Sequence, residues 1–129
     1  MIARIHRWLF LTSTIFLAAC TVERTTHLYP TNDAATQTGV LEGHFVGHGN
    51  LHGIADLSMP DGEILKGEYS IVPYGSDSSF LVSADGHGEA IVYGDNKTVG
   101  RCKFENNNYM GHGYGDCELS TGETYDLKY

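Results

Sequence analysis

The sequence predicts an all-β domain, an antiparallel meander of hairpins, and three observations carry that expectation. All 16 glycines fall at Gly39 or later, interleaved with aromatic and β-branched residues. Three ungapped segments of eighteen residues, 52–69, 87–104 and 112–129, each begin His-Gly and end in an aromatic. Within them apolar and charged residues alternate with the period of two that defines the faces of a strand.

The chain opens with Arg4 and Arg7 and holds no acid before Glu23. Trp8 to Ala19 is apolar apart from Thr12, Ser13 and Thr14. It is shorter than the roughly 20 residues of a membrane-spanning helix. A charged start and a short apolar stretch form the pattern of a signal peptide, expected to be helical, over residues 1–19. It ends Leu17-Ala18-Ala19-Cys20, which resembles the lipobox of bacterial lipoproteins. The resemblance implies cleavage before Cys20, a thioether-linked lipid on its sulfur and an acylated new amino terminus. Several acyl chains anchor durably, since each buried CH₂ adds about 0.8 kcal/mol. Thr21 stands where an Asp, in enteric bacteria, favours inner-membrane retention. By the same resemblance the destination is the outer membrane, with the domain facing the periplasm.

Thr21 to Thr38 is rich in threonine, contains Pro30, Asn32 and Asp33, and has few apolar residues. With Cys20 it is expected to be a flexible tether, residues 20–38, ahead of a glycine-rich β domain over 39–129. The chain carries 8 Lys and Arg against 16 Asp and Glu, and removal of the signal takes Arg4 and Arg7 with it. So acidic a domain excludes nucleic acid as a partner, because phosphate neutralisation needs clustered Lys and Arg. It is also unsuited to lying flat on anionic lipid.

The eighteen-residue units share more than their ends. Their fourth residue is small (Ala55, Ala90, Gly115), and their tenth and eleventh form a turn dipeptide: Asp61-Gly62, Asn96-Lys97 and Thr121-Gly122. Such dipeptides suit tight hairpin turns, where a residue at positive φ is required. The pattern resembles the MORN repeat, most closely over His52–Tyr69 and His112–Tyr129, and covers 54 of 129 residues. The match is degenerate: the second unit lacks Asp-Gly, and every terminal Trp is replaced by Tyr or Phe. The chain is therefore MORN-like, and the resemblance implies stacked hairpins forming one sheet. An insertion between the first two units holds Pro73, the Gly75–Ser79 loop and the strand-like Phe80–Ala84.

In that sheet Tyr125, Leu127 and Tyr129 share one face, as do Cys102 with Phe104 and Cys117 with Leu119, leaving the charged residues on the other. Cys102 and Cys117 remain as thiols once Cys20 is lipidated, and an oxidising periplasm favours a disulfide between them. If they lie directly opposite, the hairpin centre falls between Tyr109 and Met110, whereas Asn106-Asn107-Asn108 has the better turn chemistry. A bulge at 111–113 is one way to absorb the offset.

Five histidines lie in the glycine-rich part: His44, His48, His52, His87 and His112. In an unbroken strand His44, His48 and His52 would face one way, but successive Cα atoms would be about 13 Å apart, too far for one ion. No metal ligand set and no cofactor is assigned. The sequence shows no Gly-x-Ser-x-Gly and no nucleophile beside the Asp85–His87 pair, so an enzyme is not expected. The expectation is an envelope lipoprotein, bound to the membrane through its lipid, with a structural or protein-interaction role and an envelope protein as partner. Tyr69, Tyr93, Tyr109, Tyr114, Tyr125 and Tyr129 are a candidate contact face or part of the core. A periplasmic metal-binding lipoprotein using the Gly-His-Gly histidines is the alternative.

Overall fold

Strand pairing closes the chain on itself. The computed structural model describes residues 21–48, 51–74, 85–107 and 111–129. In it, eight antiparallel strands follow one another around a closed barrel. They are β1 (Val22–Pro30), β2 (Leu41–Gly47), β3 (His52–Ser58), β4 (Ile64–Pro73), β5 (Gly86–Tyr93), β6 (Val99–Asn107), β7 (His112–Leu119) and β8 (Thr124–Lys128), with one short helix, α1 (Asp33–Thr38), between β1 and β2. The expected all-β hairpin meander is thus the architecture. The signal segment, Cys20, Phe80–Ala84 and Tyr109 lie outside the described residues.

Three of the four hairpins are the repeat units. In β3–β4, β5–β6 and β7–β8 the N–H of the eighth residue bonds the carbonyl of the twelfth: Met59 to Glu63, Gly94 to Thr98, Leu119 to Glu123. The N–H of the eleventh then returns to the eighth, at 3.0, 3.2 and 2.9 Å for Gly62, Lys97 and Gly122. All three eleventh residues have positive φ, at 93°, 66° and 103°. This is the hairpin in which a tight turn is followed by a left-handed residue.

The segment expected to be a tether is instead part of the barrel. β1 pairs with β2 from Val22↔Gly47 to Leu28↔Leu41 and with β8 from His27↔Lys128 to Pro30↔Tyr125. The β domain therefore begins at Val22, not Gly39. Threonine suits a pleated, half-buried surface, and Thr26 and Leu28 turn inward. The Thr26 hydroxyl donates to the Lys128 carbonyl at 3.1 Å, which satisfies it inside the wall. α1 follows because Asn32 caps it: its side-chain oxygen accepts from Ala35 N–H at 2.9 Å. The Asn32 amide also donates to the Gly122 carbonyl at 2.8 Å, tying α1 to the β7–β8 turn. Ala35, fully buried, closes that end of the barrel.

The register fixes the barrel's width. Hydrogen-bonded neighbours followed once around from Val72 pass His87, Glu105, Tyr114, Lys128, His27, Glu42 and Ser58, and rejoin β4 at Ile64, eight residues away. Eight strands with a shift of eight tilt by about 36° and leave an interior that side chains fill. That core comprises Leu28, Leu41, Phe45, Leu57, Leu65, Val92, Leu119 and Leu127 with the cysteines. Cys102 and Cys117 are directly opposite, joined by a disulfide with Cα atoms 4.1 Å apart. Pairing runs unbroken from Gly100↔Leu119 to Asn107↔His112, so no bulge intervenes at 112–113.

Candidate functional site

All four hairpin connections, α1 among them, lie at one end of the barrel, here called distal. The links β2–β3, β4–β5 and β6–β7 leave from the other end, beside Val22. That second end is stoppered by aromatics. Phe45 lies 5.1 Å from the rings of both Tyr69 and Phe104 and 5.6 Å from Tyr129, centroid to centroid. Glycine makes this possible: Gly53, Gly88 and Gly113 stand opposite Tyr69, Phe104 and Tyr129. A Cβ on Gly53 would meet Tyr69 Cε1 at 2.7 Å, and those on Gly88 and Gly113 would strike the opposing rings. The His-Gly opening and the aromatic close of each unit are therefore one device, a ring laid over a bare backbone.

Arg24 covers the stopper, its guanidinium 6.0 Å from the Tyr129 ring centre and donating to the Gly111 carbonyl at 2.5 Å. The Tyr129 hydroxyl donates to Asn106 Oδ1 at 2.6 Å. Burial pushes the Tyr129 phenol up, opposed by the Arg24 charge, with Tyr69 adding to the rise. Tyr69 is raised by burial against the same arginine. Among the described residues, the spaces under the stopper and beside the disulfide are each of about 20 Å³. Each holds about one water molecule.

The outer histidines take two arrangements. His44, His48 and His52 do not share one strand: β2 ends at Gly47, and the last two meet across the β2–β3 link, where His48 N–H donates to the His52 carbonyl at 3.3 Å. His44 remains on β2, its Nδ1 2.9 Å from Asp56 Oδ1 on β3. Glu42 lies 3.7 Å from both His44 and His27. The hydrogen bond to Asp56 raises the His44 pKa, burial opposes it, and the charges of Asp56, Glu23 and Glu42 add to the rise. His87 Nδ1 lies 2.5 Å from Glu105 Oε1 on β6, and Tyr74 donates to the same carboxylate. Asp85, two residues before His87, offers its carbonyl to Tyr74 N–H at 3.1 Å. Among the described residues no group of three or more His, Cys, Asp or Glu is arranged to hold a metal ion.

A groove of about 710 Å³ runs across the outer wall of β3, β4 and β5. The register aligns Ile54, Glu68 and Ile91 in one row, and Tyr93 follows on β5 opposite Lys66. Ile54 and Tyr93 are 47% and 57% exposed. Glu68, Glu89 and Ser70 line the groove with them. It sets Ile54 and Ile91 on either side of the Glu68 carboxylate, with Tyr93 and Glu89 beside them, an arrangement suited to a segment with apolar and basic side chains. Elsewhere the wall carries Arg101, Lys103 and Glu105 on β6 and Asp116 and Glu118 on β7. Charges at mid-strand make it unlike the apolar band of a lipid-facing barrel.

Of the residues singled out from sequence, the structure joins Cys102 to Cys117, while Cys20 lies outside the described residues. Of the six tyrosines of the candidate contact face, Tyr69, Tyr125 and Tyr129 turn inward, and Tyr93 and Tyr114 face solvent. Sequence reading missed Ile54 and Ile91, whose alignment depends on cross-strand register; their only signal was an apolar residue at an outward position. No family model, no curated protein and no solved structure matches this chain, so its function is read from these surfaces alone.

Proposed function

We propose that this protein is an envelope lipoprotein, anchored through Cys20, that binds a protein partner and catalyses no reaction. The observation that carries the reading is the groove on β3–β5. Ile54, Ile91 and Tyr93 give the groove an apolar lining, divided by Glu68, on a barrel whose own interior is filled. A scattered exposed apolar residue is ordinary, but apolar residues of β3 and β5 set either side of Glu68, with Glu89 beside them, fit an interface. The lipobox resemblance of Leu17–Cys20 supports the anchor, and the oxidising compartment it implies agrees with the Cys102–Cys117 disulfide.

A photo-crosslinking residue placed at Ile54 or Tyr93 in the full-length protein tests this in its native envelope. One stoichiometric crosslinked protein is expected from these positions and none from Asp126, on the opposite wall. Equal labelling from both walls, or none from the groove, would overturn the reading.

A further inference from the structure

We infer that the barrel docks end-on against the bilayer, with the end that carries Val22, Val72 and Tyr74 seated in the headgroup layer. The inference rests on the lipoprotein reading and adds to it an orientation and a lipid-facing surface.

The first observation is the length of chain between lipid and fold. Val22, two residues beyond Cys20, is already paired with Gly47. Two residues span at most about 7 Å of extended chain. The polar layer on each face of a bilayer is itself about 5–8 Å thick. A lipid on Cys20 therefore holds the start of β1 at the headgroups, with no slack for the barrel to stand clear.

The second is what lies level with Val22. A shift of eight residues over eight strands lowers a hydrogen-bonded row by one residue at each step to the next strand. The row from Val22 passes Gly47 and Gly53 to Tyr69, so Tyr69 lies three residues deeper and Val72 is level with Val22. Tyr74 stands beyond it. These three are 39%, 67% and 62% exposed, with the Tyr74 ring set edge-on against His87. A tyrosine ring, apolar with a polar tip, suits the headgroup boundary.

The third is charge. The distal end carries Asp33 on α1 and Asp61, Glu63, Asp95 and Glu123 in the tight turns, against Lys97. An anionic surface repels that end. Near Val22 the described acids are Glu23, Asp85 and Glu105, the last accepting from Tyr74, set against Arg24, so this end is the less acidic of the two. End-on docking points the acidic turns away from lipid. It also presents the β3–β5 groove sideways at a fixed height, where a partner in the same membrane reaches it.

The sole tryptophan is Trp8, in the signal segment, so a single introduced tryptophan reports without background. Val72→Trp, Tyr74→Trp and, at the distal end, Thr121→Trp are compared as acylated full-length protein in phosphatidylethanolamine–phosphatidylglycerol vesicles. Residues 72 and 74 are expected to shift emission to shorter wavelength and to be quenched by brominated lipid, with residue 121 unchanged. Three probes that respond alike in acylated protein would overturn the docking and leave the lipoprotein reading standing. Absence of acyl chains on Cys20 by mass spectrometry would remove both.

Discussion

Gly113 and Tyr129 exchange both backbone hydrogen bonds, at 3.1 and 3.2 Å, and the tyrosine ring fills the space where a side chain on residue 113 would stand. Gly113→Ala is therefore expected to destabilise the protein by about 1–3 kcal/mol, the usual cost of overpacking. On a Tyr129→Leu background the same substitution should cost less, by of order 1 kcal/mol. Urea midpoints for the four proteins measure the coupling; additive effects would show that the ring does not need the glycine.

Lys97 occupies, at φ 66°, the turn position that its sister hairpins give to Gly62 and Gly122. A left-handed lysine costs about 1–2 kcal/mol relative to right-handed backbone, partly offset by the larger entropy glycine loses on folding. Lys97→Gly is expected to raise stability by about 0.5–1 kcal/mol, read from thermal unfolding. An Asn at the same position should recover part of the gain.

Two buried tyrosines should respond oppositely to loss of their hydroxyls. The Tyr125 hydroxyl is buried with no well-formed hydrogen bond among the described residues, only a loose approach to the Thr38 side chain. Its phenol is raised by burial, with Thr38 opposing and Glu123 adding. Tyr125→Phe is expected to be neutral or stabilising by up to about 1 kcal/mol, whereas Tyr129→Phe loses the bond to Asn106 and should cost about 1 kcal/mol. Paired denaturation curves separate the two.

The His44–Asp56 pair gives stability a pH dependence of known sign. Because the folded state raises the His44 pKa, the pair's contribution is full below about pH 6.5 and is lost as pH rises through the higher folded value. The stability difference between the native protein and His44→Gln should be larger at acid than at alkaline pH, by about 0.5 kcal/mol for so accessible a pair. A difference that does not vary with pH would show that the pair contributes nothing.

Cys102 and Cys117 are 9% and 1% exposed inside the barrel. They should resist alkylation until the protein is both unfolded and reduced. Replacing both with serine is expected to cost about 2–4 kcal/mol, since the bridge closes a loop of sequence separation 15 and its removal leaves polar groups in the core. Rapid alkylation of the folded, unreduced protein would contradict a formed bridge.

The hairpins were legible because each carries its turn in its own sequence: Gly62 and Gly122 accept positive φ, and the flanking residues alternate. The cysteine pairing was legible for the same reason, once both residues fell on apolar faces. Closure was not. It depends on β1, whose inward positions are Arg24, Thr26 and Leu28, and whose composition alone resembles a linker. A closed sheet also hides one face, so tyrosines that an open sheet could display, Tyr69, Tyr125 and Tyr129, turn inward. The groove was hidden too, because Ile54 and Ile91 come from different hairpins and meet only through Glu68 on the strand between them.

The seam between β1 and β8 imposes an order on assembly. Every other pairing joins neighbours in sequence, but Leu28 meets Leu127 across nearly the whole chain. Until the final strand is delivered, the other seven form an open sheet with β1 and β7 as unprotected edges, the kind of surface on which strands of separate molecules pair. The last residues of the chain thus act as its latch, and a copy that stops short of Thr124 carries its own site of aggregation.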